Sequence, residues 1–145
     1  MTRVRFYHNT ENPHALACEL VERACGSGRK VVLHMPDAAS AERFDHMLWS
    51  FDPLAFVPHV MAGSPLAAQT PVIIARNPGE ALPDHDDLLF NLGPTPPPDL
   101  ERYRLLVEIV GLGEDERQAA RQRWMHYKSC GYSIQAFDSQ RREAI

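Results

Sequence analysis

The sequence predicts an α/β fold, a single three-layer domain with a mostly parallel central sheet flanked by helices. Three observations lead there. Short β-branched runs alternate with amphipathic helical stretches from Val4 to Leu48, the signature of parallel strands joined by crossover helices. The 145 residues are enough for one ordinary domain and too few for two. At 44% hydrophobic and 23% charged the composition is globular, and a chain this long buries about 68–70% of its unfolded surface.

Val4 to Tyr7 reads as a first strand. Asn12-Pro13 starts a helix, because proline is tolerated where the first amide has no intrahelical partner. Leu16, Ala17, Leu20, Val21 and Ala24 recur at helical spacing, and Gly26 to Gly28 ends the run. Val31 to Leu33 is a buried-strand pattern closed by Pro36. Asp37 then caps a helix whose inner face carries Ala41, Phe44, Met47 and Leu48. From Phe51 to Pro65 aromatics and prolines interrupt any single regular element. Pro71–Arg76, Leu88–Leu92 and Leu105–Val110 each hold a strand, the last two separated by the turn-rich Pro94–Pro98 connection. The final helix spans Glu114 to Cys130, with acids in its first turn and bases in its later turns, matching the helix dipole. Gly131 stops it. Residues Ala136 to Ile145 read as a polar, flexible tail.

Charge and cysteines narrow the function classes. A net charge of −4 argues against a protein whose main work is gripping phosphates, so no direct DNA binding is expected, although a local basic patch is compatible with it. Cys18, Cys25 and Cys130 form neither C-x-x-C spacing nor a disulfide framework, which points to a reducing cytoplasm. No secretory leader and no membrane-length apolar run are visible, so no membrane role is expected.

The chemistry-bearing motifs are weak. Gly26, Gly28, Arg29 and Lys30 resemble a phosphate loop in composition, but they close a helix and precede a strand, the reverse of the required order. Asp84 to Asp87 offers metal-ligating atoms, yet adjacent residues seldom converge on one ion, and a solvated turn explains them better. Seven histidines show no zinc spacing, and no serine or cysteine lies in a nucleophile motif. No catalytic residue, metal or cofactor is expected. The rival reading, a small-molecule or nucleotide-binding α/β enzyme, needs a glycine-rich loop after the first strand, and His8 to Asn12 is not one.

Two segments read as surfaces for partners. Trp49, Phe51 and Phe56 crowd a proline-interrupted stretch ending at Pro58 and His59, where interface and core readings balance. In the terminal helix Arg117, Arg121 and Lys128 lie near one side at i, i+4 and i+11, beside Ala120, Trp124 and Tyr127. A cationic edge beside an aromatic strip fits an acidic peptide ending in an apolar residue, although an ordinary solvated amphipathic helix is the commoner case.

At these segments the chain resembles the chi subunit family of bacterial DNA polymerase III. The resemblance spans nearly the whole chain and rests on Phe6-Tyr7, Gly28 to Val31, Leu48-Trp49, Phe56 to His59 with Gly63, and Arg121 to Lys128 with Gly131 and Tyr132. It implies a Rossmann-like α/β fold, like that of mononucleotide-binding domains, without a nucleotide site or catalysis. It also implies a replication adaptor. Trp49, Phe51, Phe56, Pro58 and His59 would face the psi subunit of the clamp loader, or a helicase in its place, which leaves a helicase accessory in DNA repair as an alternative. Arg117, Arg121, Trp124, Met125, Tyr127 and Lys128 would receive the acidic, phenylalanine-ended C-terminal tail of single-stranded DNA-binding protein. Where the family often has tyrosine then lysine, this chain has Trp124 and Met125, which leaves Lys128 or Arg123 to supply the missing cation.

Overall fold

In the computed structural model, which describes residues 2–77, 80, 81, 83–140 and 143–144, eight strands form one sheet. In chain order the elements are β1 (Arg3–Thr10), α1 (Pro13–Gly26), β2 (Val31–His34), α2 (Ala38–Ser50), β3 (His59–Met61), β4 (Val72–Ala75), β5 (Leu88–Asn91), β6 (Leu105–Gly111), α3 (Glu114–Ser129), β7 (Ser133–Asp138) and β8 (Glu143–Ala144). Across the sheet they run β3-β4-β2-β5-β6-β1-β7-β8. Every pairing is parallel except that of β8 with β7, as the mostly parallel prediction required.

Strands β2, β4, β5 and β6 are buried at every residue, and each is a near-continuous apolar run, as expected for strands covered on both faces. Successive side chains alternate between two cores. Val31, Leu33, Ile74, Phe90 and Val107 pack against α1 and α2 through Val21, Phe44 and Leu48. Val32, Ile73, Leu89 and Leu106 pack with Val4 and Phe6 against α3 through Ala120 and Tyr127. The result is the predicted helix–sheet–helix sandwich.

The helix ends follow local chemistry. Asn12 Oδ1 accepts from the Ala15 amide at 3.1 Å, with Pro13 in the first turn. Asp37 Oδ1 accepts from the Ser40 amide at 2.7 Å, which holds its carboxyl below the usual range. Gly131 takes φ +86, which ends α3 and turns the chain into β7.

Three strands escaped the sequence reading, β3, β7 and the two-residue β8 that pairs antiparallel with β7. β3 is a three-residue edge strand inside the proline-interrupted stretch, too short to show periodicity and held only by β4. β7 includes Ala136 to Asp138, the start of the stretch expected to be a flexible tail, and pairs with β1 from Arg3↔Ser133 to His8↔Asp138. Its polar face stays exposed, so composition resembled a tail while backbone pairing made a strand. Arg141, Arg142 and Ile145 lie outside the described residues.

Candidate functional site

Helix α3 crosses the sheet over β6, β1 and β7, and an open groove of about 850 Å³ lies between them. Its helical wall is Arg117, Ala120, Arg121, Trp124 and Met125; its sheet wall is Phe6, His8, Asn9, Val110, Ala136 and Asp138. Four predicted tail-site residues therefore share one concavity. The sheet wall was missed, although the alternation of β1 already placed Phe6 and His8 on one face. Trp124 packs on Phe6 with ring centroids 5.1 Å apart, which makes an aromatic floor. Met125 is 69% exposed at the rim. Arg117 and Arg121 are exposed, and Arg121 has only a 3.7 Å surface contact with Glu114, a weak pair that a bound anion can displace.

The remaining predicted members stand elsewhere. Lys128 is exposed but does not line the groove. Tyr127 is wholly buried and so supports the groove from beneath. Arg123 is also buried and cannot replace the cation lost at Met125. Both belong to a polar network that the sequence reading did not foresee. Glu108 on β6 is fully buried; its Oε1 accepts from Arg123 Nε at 3.1 Å, and its Oε2 accepts from Asn91 Nδ2 at 2.9 Å and from the Tyr127 hydroxyl. Burial drives the Glu108 carboxyl upward against the opposing pull of Arg123, Asn91 and Tyr127. The Tyr127 hydroxyl is likewise raised, first by burial and then by the Glu108 carboxylate. Arg123 Nη1 also donates to the Pro94 carbonyl at 3.0 Å, and Asn91 Nδ2 to that of Thr95 at 3.0 Å, so the network ties α3 to β5, β6 and the proline-rich connection.

The second predicted surface is only partly exposed. Trp49 and Phe56 stand 52% and 72% exposed with centroids 5.9 Å apart, and Leu54, which the sequence reading did not single out, is 95% exposed beside them in the α2–β3 loop. Phe51 is half-buried against the core and Pro58 is half-buried. His59 is buried, with Nδ1 2.6 Å from the Val57 carbonyl and Nε2 3.1 Å from Asp45 Oδ1, and the Trp49 ring rests on it at 4.5 Å. It therefore braces the aromatic platform and presents little surface of its own.

The motifs set aside as bland are structural. Arg29 forms a bidentate pair with Asp87 at 2.9 and 2.8 Å, which joins the turn after α1 to the turn before β5. His85 is buried with Nε2 2.7 Å from the Thr70 carbonyl, and among the described residues no group of three or more metal-ligating side chains converges. A glycine-containing strand-to-helix turn does occur later in the chain, at Gly111 to Gly113 between β6 and α3. There the Glu116 carboxylate accepts from the Gly111 amide at 3.1 Å, and a Cβ on Gly111 would collide with it. The protein's own carboxylate occupies the amide that an anion would need.

Comparison with known proteins finds relatives over nearly the whole chain. Residues 1–135 match the family described as DNA polymerase III chi subunit, HolC. The chain is 37% identical over 139 residues to the DNA polymerase III subunit chi of Pseudomonas aeruginosa, covering 93% of this chain and 95% of that protein. It is 29% identical over 134 residues to the subunit chi of Haemophilus influenzae, with 90% and 92% covered. To that of Escherichia coli K12 it is 29% identical over 119 residues, with 82% and 80% covered. The chain belongs to the DNA polymerase III chi subunit family, the non-catalytic accessory subunits of the bacterial replisome.

Proposed function

We propose that this chain is a replisome adaptor whose α3 groove holds the C-terminal tail of single-stranded DNA-binding protein, while its Trp49–Phe56 platform engages the psi subunit of the clamp loader. One observation carries the reading: Arg117, Arg121, Trp124 and Met125, spaced along one helix, line a single groove floored by Phe6 and Trp124. A tail with acidic residues meets the two guanidinium groups, and its terminal phenyl ring enters the apolar floor. At the end of α2, Trp49 and Phe56 are exposed with their rings 5.9 Å apart, and Leu54 in the same loop is exposed too, which supports a second, separate contact surface. An adaptor of this kind works in the cytoplasm, and no helix among the described residues is long and apolar enough to cross a membrane.

Calorimetric titration with a peptide of the acidic tail tests the groove. Saturable binding is expected, lost on deleting the terminal phenylalanine, weakened by salt, and reduced about fivefold or more in Arg121→Ala and in Trp124→Ala, since a lost charge-assisted bond or aromatic contact costs over about 1 kcal/mol. Wild-type affinity in both variants would reject the groove as the site.

A further inference from the structure

On the face of the sheet opposite the groove, α1 lies mainly over β2 and β6, and at the β1–β7 end Tyr7 is packed against that core while Arg3, Ser133 and Gln135 stay exposed. Along β1, Val4 and Phe6 point into the α3 core, so Arg3, Arg5 and Tyr7 point the other way. The parallel register sets Ser133, Gln135 and Phe137 of β7 beside them in turn. Arg3, Ser133 and Gln135 are exposed; Arg5, Tyr7 and Phe137 are half-buried. The Tyr7 and Phe137 rings meet with centroids 5.4 Å apart, and Arg5 Nη1 lies 3.5 Å from the Tyr7 hydroxyl. Neither Arg3 nor Arg5 is paired with an acid among the described residues. The neighbouring Glu19 on α1 is already neutralised by Arg23 at 2.7 Å. Beside the ring pair, a hollow of about 330 Å³ opens between α1 and the sheet, with Leu16 and Leu20 as its apolar side.

We infer that this open sheet face is a contact site for single-stranded nucleic acid, with a base on the Tyr7–Phe137 pair and backbone phosphates on Arg5 and Arg3. Charge complementarity names the occupant. Two uncompensated guanidinium groups on alternate residues of one strand, about 6.7 Å apart, form a cationic track leading to an aromatic pair. Aromatic rings on an open sheet, flanked by arginine, are how proteins hold unstacked bases, because every base has a face to stack while a duplex keeps its faces hidden. The net charge of −4 makes the contact local and weak, and it departs from the expectation that the chain avoids nucleic acid.

The test is fluorescence anisotropy with labelled oligothymidylate and the full chain at low salt. Saturable binding is expected, falling as salt rises. In the Arg3→Ala, Arg5→Ala double variant the slope of log affinity against log salt should flatten by about 1.4, two phosphates at about 0.7 each. Phe137→Leu, which keeps an apolar side chain, should weaken binding roughly tenfold while leaving the salt slope unchanged, as loss of a stacked base does. Thermal melting of each variant verifies its fold. The acidic tail peptide, seated on the other face, should not displace the oligonucleotide. Absence of binding at low salt, an unchanged slope in the double variant, or equal affinity for the duplex would overturn the proposal, and none of these outcomes bears on the α3 groove.

Discussion

Glu108 shows how one residue decides what its neighbours can do. A fully buried carboxylate has to be met by donors, and Arg123, Tyr127 and Asn91 are the donors that meet it. Arg123 and Tyr127 are thereby withdrawn from the surface on which a peptide could find them. Breaking the pair leaves an uncompensated buried charge, so Arg123→Ala should lose about 3–5 kcal/mol of stability in urea denaturation. Arg121→Ala, on the exposed edge, should stay within about 0.5 kcal/mol. The Arg29–Asp87 pair gives a pH signature. Hydrogen bonding from Arg29 lowers the Asp87 pKa below its ordinary value, so its contribution is present above the ordinary aspartate pKa of about 3.9 and is lost as pH falls through the lower folded value. Acid unfolding of Asp87→Asn should therefore lack that part of the pH dependence seen in the wild type, and superimposable acid profiles would refute the assignment.

At the scale of elements, α1, α2 and α3 lie where cap chemistry and apolar spacing predicted, because a helix advertises itself within its own residues. Asn12→Ala should cost about 1 kcal/mol through the lost cap and lower the melting midpoint by about 2–4 °C. β3 and β7 were not legible for the opposite reason. A strand gains its hydrogen bonds from another strand, and neither the three residues of β3 nor the polar alternation of β7 discloses a partner far away in sequence. Helical period did contain one unused clue. Arg123 lies at i+3 from Ala120 and i−4 from Tyr127, on the buried face, so its position marked it as inward while its charge suggested outward.

At the scale of the whole molecule, the sandwich separates its working surfaces. The groove of α3 lies on one face, and the Trp49–Leu54–Phe56 platform lies at the end of α2 on the other. Substitutions on the platform should therefore act on assembly alone. A Leu54→Ser, Phe56→Ala double variant is expected to melt within about 0.5 kcal/mol of the wild type, to bind tail peptide normally, and to lose co-purification with psi. Retained co-purification would move the psi contact elsewhere. The sequence by itself determined the alternation of elements, the helix limits, the absence of a phosphate loop after the first strand, and the run of arginine and aromatic side chains along α3, because each is written in neighbouring residues. Only the tertiary structure decided which of those side chains face a partner. Phe6 and Ala136 completed the groove, Glu108 drew Arg123 and Tyr127 inward, and Asp45 with Val57 took His59, since burial and pairing are set by residues brought together across the sheet.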